Sequence, residues 1–323
     1  MTQQQPNAHM TAPETILLSA DVMGSHAAHW QALSSDPQAD VPAWLQQAVD
    51  DAMLPRGLCP ADQALPSTHW LIQGPSSAIK VHQIIDVNSQ DQPTGLRSAF
   101  PYIDSPYWQD VSIQRIGYCP ETLEAVLQVE TAQGIRIHGF DSLYAVNANY
   151  YQANQSYQAC FSALAYQLEK VPAHEQMLVE DPAAIRHHRA LNAILAANNG
   201  IAPDDLQAQM EAWQPSSPDD EAPVTLDLSK MAAYLFGEQF GQEDEAWFQG
   251  EILGAQTTDF LGQQVQLLDV AMLREANALP LVVRIACAAH RLEGQIFEVG
   301  DYIRGNIWMQ IAIYAMSEPP TST

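Results

Sequence analysis

Residues 298–316 read EVGDYIRGNIWMQIAIYAM, and the interior of this stretch is the clearest strand pattern in the chain. Written as a strand over 303–314, it separates by parity. Ile303, Ile307, Met309, Ile311 and Ile313 share one face with Gly305, while Arg304, Asn306, Trp308, Gln310, Ala312 and Tyr314 share the other. A glycine inside so long a strand marks a sharp bend or the close approach of a second backbone. WFQGEI, at 247–252, repeats the device, because Gly250 stands two residues before Ile252 as Gly305 stands two before Ile307. Two long strands each bent at a glycine are one way to close a small sheet into a barrel.

Working outward, AWFQGEILG (246–254), QQVQLLDVAML (263–273) and LPLVVRIACAA (279–289) complete a set of strands joined by turn-type segments. LDLSKMAAYLFG (226–237) reads as a short helix stopped by Gly237. Strands at this spacing without helices between them suggest a barrel or strongly bent sheet. In pattern the region resembles the OB-type barrel class, although the helix usual in such barrels is not evident. That resemblance implies a face of Arg304, Trp308, Gln310 and Tyr314 able to stack exposed bases. Two other readings compete. The face can pack against another part of the chain, or it can dock a protein partner, for which Trp, Tyr and Arg are favoured anchors.

Upstream, DVPAWLQQAVDDAML (40–54) predicts a helix capped by Asp40, with Pro42 near its first turn and a stripe of Trp44, Leu45, Ala48, Val49, Ala52 and Met53. DVSIQRIGY (110–118), TLEAVLQVE (122–130) and GIRIHGFD (134–141) alternate with period two and predict an antiparallel meander. YQACFSALAYQLEKV (157–171) leans to a strand. EDPAAIRHHRALNAILAANNG (180–200) is a helix with Asp181 as cap, Pro182 at the first position and Gly200 past the end; APDDLQAQMEAW (202–213) is another. WQPSSPDDEAP (213–223) has linker chemistry. The expected fold is α+β: a tail at 1–12, a mixed domain over 13–214, a linker at 215–223, an OB-like β-barrel domain over 224–316 and a tail at 317–323.

The 323 residues carry 38 acidic and 13 basic side chains, a formal charge of −25. Such a surface disfavours nucleic acid and anionic membranes, because both bind through Lys and Arg. The start lacks a basic region before its short apolar run, and no segment approaches a membrane-spanning length. Cys59, Cys119, Cys160 and Cys287 are scattered without ligand spacing, which predicts reduced thiols and a cytoplasmic protein.

No complete catalytic motif is present in the sequence. His26 and His29 in SHAAHW are a weak metal pair, since zinc sites need further ligands. Otherwise no metal or cofactor is expected. His187 and His188 point about 100° apart on a helix and do not chelate together. His138 and Asp141 are weak candidates for acid/base work, with Cys119 or Cys160 as nucleophile across the fold. EQFGQEDEAW (238–247) lacks the alternation of a calcium loop and reads as a solvated acidic run. The favoured function is a non-catalytic protein-interaction module using the C-terminal β domain, with another protein as partner. The alternatives are a hydrolase with its site in the N-terminal domain, and a binder of single-stranded nucleic acid.

Overall fold

The computed structural model describes residues 13–316 apart from 51, 76, 199–201, 204, 237–241, 274–279 and 293. The two expected tails, Gly200 and Gly237 lie outside the described residues. The chain opens with β1 (Glu14–Leu17), three helices α1 (Ala20–Met23), α2 (Ala27–Leu33) and α3 (Pro37–Asp50), and a three-stranded antiparallel sheet of β2 (His69–Gly74), β3 (Ile79–Val87) and β4 (Pro93–Ile103). The expected meander follows as β5 (Trp108–Cys119), β6 (Glu124–Thr131) and β7 (Arg136–Asp141), then α4 (Tyr144–Asn147) and β8 (Ser156–Lys170). Next come β9 (Gln176–Val179), α5 (Pro182–Ala197), α6 (Leu206–Ala212), β10 (Val224–Asp227) and β11 (Ala233–Phe236). A second meander, β12 (Glu245–Phe260), β13 (Gln263–Leu273) and β14 (Leu281–Ala288), leads into β15 (Tyr302–Tyr314).

The long strands β8 and β15 organise the rest. They pair antiparallel from Ile303↔Lys170 to Tyr314↔Gln158. The outer edge of β15 takes β12 along its first half and β7 near its second. The outer edge of β8 takes β5 at its start and β14 further on. Hydrogen-bonded neighbours therefore trace two rings, β5–β6–β7–β15–β8 and β12–β13–β14–β8–β15, lying end to end on one shared ribbon within a ten-stranded sheet.

The two halves of this sheet repeat one connectivity. Each is a three-stranded meander, a short helical connection and a long fourth strand. In each, the first strand pairs antiparallel with its own fourth strand, and the third pairs parallel with the fourth strand of the other half. Each first strand also carries a register shift, at Ile113/Arg115 and at Ile252/Gly254.

This topology bears on the expected domains. The segment at 215–223 contains only a short 3-10 turn, Pro218–Glu221, and the sheet joins the chain on either side of it. Residues 224–316 close their ring through β8, which belongs to 13–214, so the expected OB-like unit is not assembled from its own strands. The backbone approaches expected at the two glycines are present. A Cβ on Gly305 would overlap Gln167 O, and one on Gly250 would overlap Ala271 O.

Two local expectations are corrected. Residues 226–236 do not form a helix: β10 pairs with β9, and β11 lies along β12 with Phe236 opposite Ala246. Their apolar spacing suits either state, and strand pairing decides it. Helix α3 begins at Pro37, with Pro42 inside it, and the Asp40 carboxylate accepts from Ser34 Oγ at 2.5 Å. Asp181 caps α5 as expected, accepting from Ala184 N at 2.8 Å.

Parity on β15 holds, yet both faces are buried from Ile307 to Ile313. Ile303, Ile307, Met309, Ile311 and Ile313 join one cluster inside the rings with Phe161, Val270 and Ile285. Trp308 and Ala312 join a second cluster with Trp30, Leu33, Phe100, Phe140 and Leu164, where α2, α3 and the β2–β3–β4 sheet cover the ribbon.

Candidate functional site

The residues expected to form an outward face are held inside the molecule or in ion pairs. Trp308 is 0 % exposed. Its indole stacks on His29 with ring centroids 3.7 Å apart and planes 11° from parallel, and its Nε1–H donates to Asp244 Oδ2 at 2.7 Å. Gln310, also 0 % exposed, donates to Pro101 O at 2.6 Å and accepts from Ile103 N at 3.0 Å, tying β4 to the ribbon. Arg304 pairs with Glu169 at 2.6 Å and Glu175 at 2.9 Å. Tyr314 is half-buried against the edge of Trp108. At Trp308, Gln310 and Ala312 the face is covered by the chain's own second layer, while Arg304 and Tyr314 are only part-buried.

His26 and His29 meet a residue that no local pattern associates with them. His26 Nε2–H donates to Glu124 Oε1 at 2.8 Å, and the two Nδ1 atoms lie 2.9 Å apart. One of the two Nδ1 atoms donates to the other across this gap. A zinc ion sits about 2.0–2.1 Å from each imidazole nitrogen, so a gap of this size holds a hydrogen bond rather than an ion. No cluster of three or more His, Cys, Asp or Glu able to hold a metal occurs among the described residues. Burial alone would raise the Glu124 pKa, but bonds from His26 and Ser98 outweigh it and keep the carboxyl below its ordinary range. Burial, with His26 beside it, pushes His29 down to about 2, so this imidazole is neutral.

Asp244 completes the network from the other half of the chain. Burial pushes its carboxyl up to about 6, against the lowering bond from Trp308. Its Oδ1 has no hydrogen-bond partner among the described residues. The arrangement joins the α1–α2 turn, β6, β15 and the start of β12 through charge-assisted bonds of low-dielectric strength. The His29 ring is stacked on Trp308, and the Tyr166 ring lies 6.1 Å from it. The chain of carboxylate and imidazoles thus ends on packed rings, and its work is to fasten layers.

His138 and Asp141 do not assemble. Three positions apart on β7, they fall on opposite faces. Asp141 accepts from Leu143 N at 3.0 Å and from the Tyr151 hydroxyl, and burial pushes its carboxyl up to about 7. His138 stacks on Phe236 at 4.4 Å, and neither ring nitrogen has a partner among the described residues. Burial, with Arg115 and Arg136 nearby, pushes its pKa down to about 4. Cys160 is a buried thiol pushed up to about 12 by desolvation, far from a thiolate nucleophile. Sequence reasoning missed Glu124 and Asp244. The one available signal was Val126, an apolar residue on the face of β6 that otherwise reads as polar.

Outside this network the surface is organised by charge. Lys80, Arg97, Arg115, Arg136, Lys170, Arg284 and Arg304, seven of the 13 basic residues, are each tied to a carboxylate. The segment from β9 to β10 is a satellite with its own small core at Ile185, Ala190 and Ile194 of α5, which belong to neither main cluster. Its Glu180, Asp205, Glu211, Asp219 and Glu221 are exposed and have no ion-pair partner among the described residues. Between α5 and the 218–221 turn lies a cavity of about 510 Å³, floored by Pro182, Ile185 and Pro215 and rimmed by Arg186, Asp220 and Glu221. Hydrogen bonds from Ser216 and Ser217 hold the Asp220 carboxyl below its usual range.

Comparison of the chain with known protein families, with curated proteins and with solved structures finds no match. No helix among the described residues is long and apolar enough to cross a membrane.

Proposed function

We propose that this is a non-catalytic protein-interaction module that engages a basic partner through its acidic satellite, rather than through the Trp308 face. One observation carries the reading. Seven of the 13 cations are consumed in internal ion pairs, whereas Glu180, Asp205, Glu211, Asp219 and Glu221 of the satellite stand exposed, and Glu221 lines an apolar-floored cavity together with Asp220. Complementary charge steers association and excludes like-charged partners, and a cavity with an apolar floor, whose rim sets the carboxylates of Asp220 and Glu221 beside Arg186, suits the stem and head of an Arg or Lys side chain. The buried Glu124–His26–His29 network supports a stabilising part for the second layer.

The test is binding of an Arg- and Lys-rich peptide across a salt series, comparing two charge-matched variants. Neutralising Glu180, Asp219 and Glu221 to Gln, Asn and Gln is expected to weaken binding about tenfold at low salt, as the loss of a complementary patch should. Neutralising Asp62, Asp91 and Glu121, exposed carboxylates elsewhere, is expected to change it less than twofold, roughly the screened effect of net charge alone. Equal weakening in both variants would reduce the interaction to net charge and remove the satellite as its site.

A further inference from the structure

The repeated connectivity makes the two halves of the sheet a guide to each other, and at one place they differ. In the first half, β5 uses the edge beside β8 twice. Trp108–Ser112 pair with β8, and after the register shift Arg115–Tyr118 pair in parallel with β1. The opposite edge of β5 is filled by β6. In the second half, Glu245–Glu251 of β12 pair with β15, and Ile252 exchanges backbone bonds with Gly300 and Asp301. The register shift follows, and β13 fills the opposite edge as far as Phe260. Counting from the shared shift, the counterpart of Arg115–Tyr118 is Gly254–Thr257. No strand pairs with that edge among the described residues.

We infer that the open edge of β12 at Gly254–Thr257 is a strand-addition site, and that its occupant is an extended basic segment of a partner protein. The topology supplies the slot: β1 shows that a parallel strand fits the equivalent edge, with main-chain bonds as the source of affinity. Its surroundings supply the chemistry. Ala255, Gln256 and Thr257 are exposed, Leu253 offers an apolar contact at 39 % exposure, and the exposed carboxylate of Asp259 stands just past one end. Charge also guards the edge against a second copy of the same acidic chain, in the way that natural proteins protect open edges. Only the choice of a basic partner rests on the function proposed above.

The experiment uses the full chain and an acetylated octapeptide alternating Ile with Lys or Thr, followed by amide hydrogen exchange. Two control peptides accompany it: one with the same sequence N-methylated at alternate residues, the other with the same charge but Gly in place of Ile and Thr. The expected result is exchange at 254–257 slowed about tenfold by the first peptide and by neither control, the size of one or two main-chain bonds. Binding of all three peptides without protection at 254–257 would overturn the slot and leave the basic-partner reading standing. No binding at low salt would overturn both. Protection at 254–257 that grows with protein concentration alone would make a second copy the occupant and overturn the basic-partner assignment.

Discussion

The two faces of β15 are both buried at the strand's middle, the odd one along its whole length, and are held by different chemistry. The odd-numbered face is aliphatic: Ile303, Ile307, Met309, Ile311 and Ile313 enter a cluster of like side chains. The even-numbered face alternates large polar-tipped groups: Trp308 donates to Asp244 beside β12 and stacks on His29 of the covering layer, and Gln310 donates to β4 of that layer. An aliphatic face needs only volume and will accept many neighbours. A polar-tipped face must find specific partners or lose the desolvation cost of each unpaired group. The even face therefore determines which layer covers the ribbon, while the odd face supplies bulk cohesion.

That comparison can be broken by substitution, beginning where the effect is largest. Trp308→Ala removes the stacked indole and leaves Asp244 buried without its donor, so a loss of about 4–5 kcal/mol is expected in urea unfolding. Ile307→Ala on the other face leaves only a cavity, with an expected loss of about 3 kcal/mol. A Trp308→Ala loss well below that of Ile307→Ala would show the even face to be loosely covered. Trp308→Phe keeps most of the ring and deletes the bond, with an expected cost of about 2 kcal/mol at pH 7. That cost should shrink at pH 5, because Asp244, pushed up to about 6, is then largely protonated and no longer presents a charge to the missing donor.

The wider pH response sharpens the same contrast. His29 and His82 are held neutral at about 2 and about 3, chiefly by burial. Their contribution is complete above the ordinary histidine range and is lost as pH falls toward those values. Asp141 and Asp244 act oppositely. Their contribution is complete below the ordinary carboxyl range and is lost as pH rises through about 6 to 7. Asp244→Asn removes part of the compensation on the acid side, so its urea midpoint should fall more steeply from pH 7 to pH 5 than that of the parent chain. A shallower fall would contradict the assignment. The smallest effect belongs to Arg304→Ala, whose ion pairs lie near the surface; about 0.5 kcal/mol is expected.

Much of this architecture can be read from the residues, and its limits have physical causes. Alternation in 110–141 and 303–314 identifies the strands and sorts β15 correctly into two faces, because side-chain parity is a local property. What covers the second face is not local. Trp308 is closed by His29, 279 positions earlier in the chain, and by Asp244 from a run of acids that reads as solvated. The Pro, Ser and acidic residues of 213–223 do form an exposed link, but whether a link separates domains depends on strand pairing across it, here between β8 and β15. His138 and Asp141 lie close in sequence and apart in space, since strand parity turns them away from each other.

The central claim is that one ribbon of β8 and β15 joins both halves of the chain into a single folding unit. Native-state hydrogen exchange measured through rising urea tests it most directly. The amides of 158–170 and 303–314 should converge on one common opening free energy, equal to that of global unfolding. Two separate free energies, divided at residues 215–223, would contradict it.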